Sequence, residues 1–149
     1  MVKRYKTPYV LGLLDGLSQD KKEEAKILYI TAADICKTML GERAYLPHEQ
    51  LDWQSALTSK EIYQYESDRI RYTTSLVIAV DFTFSWEGGA ILQLANDAKV
   101  PIILMLQYNA GIPRYINGMN IFYSFNFSKY SDFRYALSNA LERIRHCLK

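Results

Sequence analysis

Apolar positions along this chain fall into two rhythms. Short runs without polar interruption, at 76–81 and 100–106, read as strands buried on both faces of a parallel sheet. Elsewhere the apolar residues return every three or four positions. Leu28, Ala32, Ile35 and Met39 form one such stripe in a helix predicted over 20–40, which Gly41 stops. Phe133, Leu137, Ala140, Leu141, Ile144 and Leu148 form another in the last helix. Thr58-Ser59-Lys60-Glu61 is a capping box that opens an element over 61–73.

Further strands are expected at 7–14, at 43–46, where Pro47 closes the run, and at 119–123. A helix over 86–98 follows the strand at 76–81, a polar loop covers 48–57, and 107–117 is a loop or one short helix. Strands and helices thus alternate without a linker or repeat. That pattern predicts one α/β domain over 1–149, in three layers, with a five-stranded parallel sheet between helices. Ligands of such sheets collect beyond the C-terminal strand ends, near the switch in strand order. Residues 12–16, 47–48, 81–89 and 107–109 fall there and are expected to share one crevice.

Composition narrows the function classes. The 149 residues are 49% hydrophobic and 23% charged, as in a globular protein, and the net charge of +2 gives no ground for nucleic acid or an anionic membrane. The basic cluster of Lys3, Arg4 and Lys6 reads as a solvated tail. No apolar run approaches the ~20 residues of a membrane span, and no signal-peptide core opens the chain. Cys36 and Cys147 lack metal-ligand spacing and fit a reducing cytoplasm. His48 and His146 are too few and too distant to suggest a metal site. Tyrosine is abundant, at 12 residues. The aromatic stretch 115–130 is either a subunit contact or a segment folded over its own core.

The most informative segment is 76–90. An apolar strand ends in Asp81, a short turn follows, and Gly88-Gly89 opens a helix. Helix starts present unpaired N–H groups, and glycines allow a phosphate or sugar close to the backbone. Ser85 is the expected N-cap, with a hydroxyl also able to bind an anion or a sugar oxygen. Asp81 either binds a ribose hydroxyl or caps its turn. Tyr9 either contacts a ligand or packs in the core. His48 is a proton carrier in the crevice loop or merely solvated. There is no Walker A run, no full GxGxxG and no Ser–His–Asp set.

Four features together resemble the nucleoside 2-deoxyribosyltransferase-like family, which includes deoxynucleoside-monophosphate N-glycosidases. They are Tyr9-Val10-Leu11-Gly12; Tyr45-Leu46-Pro47-His48; Tyr65-Glu66-Ser67-Asp68-Arg69-Ile70; and Ser85-x-x-x-Gly89 followed by Ala95 and Val100-Pro101-Ile102-Ile103. The resemblance implies a flavodoxin-like fold, a homo-oligomer (a dimer or larger), and a nucleoside or nucleotide as the small-molecule partner. It also implies cleavage or exchange of an N-glycosidic bond without metal or organic cofactor. A glutamate attacks the sugar's anomeric carbon, and an aspartate helps protonate the leaving base.

The site residues that follow are Tyr9, Gly12, His48, Asp81, Ser85, Gly88 and Gly89 for the pocket, with Glu87 and Asp68 for the chemistry. Asp68 is most similar to the family's acid; otherwise it pairs with Arg69 or Arg71 on a solvated face. The family glutamate falls at Ile91 here, which supplies no carboxylate. Glu87, four residues upstream, is a relocated carboxylate, a complement to the helix dipole, or a group that repels anionic ligands. If no carboxylate replaces the lost one, the chain binds or senses nucleotides without cutting them.

Overall fold

The computed structural model describes residues 5–81 and 85–148, apart from the side chain of Asp81. Lys3, Arg4 and residues 82–84, where a turn is expected, lie outside the described residues. The elements, in chain order, are β1 (Thr7–Leu11), α1 (Gln19–Leu40), α2 (Leu51–Gln54), α3 (Ser59–Asp68), β2 (Thr74–Asp81), α4 (Trp86–Asp97), β3 (Ile102–Gln107), α5 (Arg114–Asn117), β4 (Ile121–Phe127) and α6 (Tyr130–Ile144). A 3₁₀ turn, Pro47–Gln50, leads into α2, and a π-helical turn, Arg69–Thr73, links α3 to β2.

All strand pairs are parallel, in the order β1-β2-β3-β4. The fold class is therefore the expected one, but the sheet has four strands among the described residues, not five. The run at 43–46 reaches β1 only through one bridge, Tyr9 to Tyr45. Tyr45 donates its N–H to Pro8 and accepts from Val10, at 2.8 and 3.0 Å. Pro47, having no N–H, then turns the chain into its 3₁₀ turn, so the ladder stops. With this bridge included, the spatial order runs Tyr45, β1, β2, β3, β4, and the order reverses at β1. A doubly wound sheet opens its ligand crevice at such a reversal.

Helices cover both faces, as side-chain alternation in the strands demands. Leu76, Ile78 and Val80 of β2 pack with α1 and α6, against Leu28, Ala32, Phe133 and Leu137. Val77 and Ala79 turn the other way, toward Ile91, Leu92 and Ala95 of α4 and Ile70 of the π turn. The caps follow the sequence closely. Thr58 and Glu61 form the reciprocal capping box of α3, Ser85 Oγ accepts the Gly88 N–H at 3.0 Å, and Gly41 ends α1 with φ of 85°. No helix among the described residues is long and apolar enough to cross a membrane.

The two cysteines differ sharply. Cys36 is buried in α1, and burial pushes its thiol up to about 12, whereas Cys147 is exposed. At neutral pH an alkylating reagent should therefore modify Cys147 alone in the folded chain, and both cysteines in denaturant. Mass spectrometry of the adducts checks this, and rapid labelling of native Cys36 would contradict the packing of α1.

Candidate active site

Beyond the C-terminal ends of β1 and β2 lies a crevice of about 120 Å³. Its wall includes Tyr9, Gly12, Asp15, His48, Gln54, Glu66, Glu87 and Ile91. The central group is Glu66, in the last turn of α3. Tyr9 donates its hydroxyl to Glu66 Oε2 at 2.9 Å. Tyr45 donates to Oε1 at 2.8 Å, and the Gln54 amide donates to the same oxygen at 2.8 Å. Both carboxylate oxygens are thus engaged, and one acceptor position remains on Oε2 for a ligand.

The two phenols are dependable donors. Burial and the Glu66 carboxylate raise the pKa of Tyr9 well above its ordinary value, and the same causes raise that of Tyr45. Their rings tilt together at 5.3 Å, and the Arg69 guanidinium lies over the Tyr45 ring at 3.9 Å. Arg69 also donates to the Tyr65 hydroxyl at 2.8 Å, and the Tyr65 ring meets the edge of Trp53 at 4.8 Å. Of this ladder, Arg69 comes from the π-helical turn and Tyr65 from the last turns of α3. Such turns recur at functional sites because they re-aim side chains without breaking the helix.

Glu87, in the first turn of α4, faces Glu66 from across the crevice. Partial desolvation of its carboxyl, followed by the charges of Asp15 and Glu66, raises its pKa above the ordinary value. A helix N-terminus acts in the opposite direction, so the dipole is outweighed here. Glu87 thus holds its proton to higher pH than a free glutamate. His48 also lines the crevice, where burial lowers its pKa and leaves Nδ1 buried without a hydrogen-bond partner.

The structure brings Tyr9, Gly12, His48 and Glu87 to one wall, as the strand-end argument expects, but residues 107–109, expected in the same crevice, line neither it nor the chamber beside it. Asp68 is not among the residues that line it. Its carboxylate accepts from Gln64 at 2.9 Å, one turn back along α3. Residues 66 and 68 stand about 200° apart around a helix, so only one of them can face the crevice. Glu66 is the one that does. Its signal was present in the sequence: Ile62, Glu66 and Ile70 share one face, with Ile62 at the crevice and Ile70 fully buried. Asp15 falls in the stretch 12–16 expected at the crevice and Tyr45 in one of the motifs that carry the resemblance, whereas Gln54 carried no comparable local signal.

Ser85, Gly88 and Gly89 line a second, apolar cavity of about 290 Å³, together with Leu11, Leu92, Leu104, Leu106 and Tyr115. Leu13 lines both cavities, so the acidic crevice and the apolar chamber adjoin. Tyr115 is fixed there by donating to Gln93 Oε1 at 2.8 Å. Ile91, 8% exposed, faces the crevice where the resemblance calls for a glutamate.

The chain shares its fold with a 2-deoxyribosyltransferase. That protein, from the psychrotolerant bacterium Bacillus psychrosaccharolyticus, superposes with a TM-score of 0.64 over 86% of this chain and 90% of its own, at 10% sequence identity. No family model matches the sequence, and neither does any curated protein. At that identity the transferase fold itself is what the two chains share. The strand-end crevice of this chain is lined by its own set of carboxylates and phenols.

Proposed function

We propose that this chain cleaves or exchanges the N-glycosidic bond of a nucleoside-like substrate in the crevice at the strand ends. One observation carries the reading: an anchored carboxylate, Glu66, stands beside a proton-retaining one, Glu87. Two acidic groups in unlike environments can divide acid and nucleophile roles between them. The shared fold supports the choice of substrate, since the transferase is described as a catalyst for nucleoside synthesis.

In this mechanism Glu87 gives its proton to the base as the C1′–N bond breaks, and the bonding pair stays on the base nitrogen. The sugar is left electron-poor at C1′, where the Glu66 carboxylate stabilises or traps it. Water then adds at C1′, displacing the Glu66 oxygen where it has bonded there, and gives a proton to Glu87. In an exchange a second base adds in the same way and gives its N–H proton to Glu87. The apolar chamber beside Gly88 and Gly89 receives the base, and Ser85 and Tyr9 lie within the pocket walls.

Incubation with a panel of nucleosides and chromatography for free base tests the reaction. The rate should fall as pH rises through the elevated pKa of Glu87, because only the protonated form donates. In Glu87→Gln that limb should flatten, with a loss of roughly 10²–10⁴-fold in rate. Equal pH profiles for the two proteins would remove Glu87 from the acid role.

A second reading rests on Ile91. With an apolar side chain at the position of the family glutamate, the crevice binds nucleosides without turnover. Ligand-dependent stabilisation in thermal unfolding, with no base released at high protein concentration, would select it.

A further inference from the structure

We infer that the crevice is built for a ligand without a phosphate group, and that Asp15 and Glu87 are specificity-determining residues that turn the 5′-phosphorylated form away. The inference rests on the nucleoside reading above and decides a point which that reading leaves open. Two independent features support it.

The first is charge. Asp15, Glu66 and Glu87 all line the crevice, and no lysine or arginine lines it or the adjoining chamber among the described residues. His48 offers no compensation, because burial holds its pKa below the ordinary imidazole value. Arg69 lines neither cavity: its guanidinium lies over the Tyr45 ring and donates to Tyr65, and its Nε is buried without a partner. The mutual influence of these acids already shows in Glu87, whose proton affinity Asp15 and Glu66 both increase. A dianion placed among them finds no lysine or arginine in the lining and meets the repulsion of Asp15, Glu66 and, once ionised, Glu87.

The second is the start of α4, where a strand–glycine–helix turn would ordinarily accept a phosphate. This chain fills the position itself. Ser85 Oγ takes the Gly88 N–H, the Ser85 carbonyl takes the Gly89 N–H at 3.0 Å, and Glu87 sets a carboxyl in the first turn. Two amides of this turn are thus engaged before any ligand arrives, and the Glu87 carboxyl lies in the same turn.

Calorimetric titration of the protein with a deoxynucleoside and with its 5′-monophosphate, for each of the common bases, tests the inference. At low salt the nucleoside should bind roughly tenfold more tightly or better. The ratio should shrink as ionic strength rises, since it is Coulombic in origin. In Asp15→Asn/Glu87→Gln, two exposed positions whose neutralisation leaves the core untouched, the ratio should move toward one by tighter binding of the monophosphate. Equal or tighter binding of the monophosphate by the unaltered chain overturns the inference, as does a ratio that neither salt nor the double substitution moves. If neither ligand binds at millimolar concentration, the nucleoside reading itself fails and takes this inference with it.

Discussion

Glu66→Ala should lower the unfolding free energy by about 2–4 kcal/mol and abolish base release. The stability loss comes from the donors left behind. Tyr9 is 1% exposed and Gln54 7%, so neither can turn to bulk water when the carboxylate is gone. Each buried donor left without an acceptor costs about 1–3 kcal/mol, and water entering the crevice recovers part of that. Glu66→Gln separates the two effects. It keeps the volume and one acceptor, yet presents an amide N–H₂ to a phenol that is itself a donor. A milder stability loss is expected from it, with a loss of base release of roughly 10³-fold or more, because an amide neither traps nor stabilises an electron-poor C1′. Urea titration gives the first quantity and chromatography the second. Activity of Glu66→Gln within tenfold of the parent would remove Glu66 from the chemistry and leave it a structural role.

Gly12→Ala is the other substitution with a large expected effect, and here packing is the cause. A Cβ at this position would lie 2.4 Å from the ring atoms Cε1 and Cζ of Tyr29. The ring has little room to retreat: Tyr29 is 1% exposed, and its hydroxyl donates to the Leu13 carbonyl at 3.1 Å. Overpacking of this kind costs about 1–3 kcal/mol. For a domain of this length that is a fall in Tm of roughly 3–10 °C. Because Gly12 leads into the loop that carries Leu13 and Asp15, ligand affinity should fall along with Tm. An unchanged Tm by calorimetry would show that the β1–α1 loop yields more easily than its packing implies.

Much of the architecture was legible because it depends on short windows of sequence. The apolar runs of β2 and β3, the stripes of α1 and α6, and the caps at Ser85 and Thr58 are all local patterns, and the structure keeps them nearly in place. What local reading misses is whatever a distant partner decides. The run around Tyr45 has strand character, but only β1 and the ring of Pro47 determine that it pairs at a single residue. The last strand was expected at 119–123 and lies at Ile121–Phe127, since an edge strand alternates exposed and half-buried positions and shows a weaker apolar run. The element expected over 61–73 changes from α-helix to a π-helical turn after Asp68, which no capping or periodicity rule foretells.

The same distinction explains the candidate site. Gly12, His48, Ser85 and Glu87 stand at strand ends and could be placed by topology. The choice between Glu66 and Asp68 required knowing which side of α3 meets Tyr9, a residue 57 positions away. Within a single helix the two acids look alike; across the fold one is gripped from three directions and the other pairs with its own neighbour.

That grip has a consequence for fragments of this protein. The three donors sit at positions 9, 45 and 54, each on a different stretch of chain, and the acceptor on a fourth. An excised peptide carries the whole arrangement only if it spans 9–66, and a chain cut in the 55–58 connection would separate the acid from all three of its holders. Recovered function in a split version would therefore report that the halves have reassembled, since neither alone can keep that carboxylate in place.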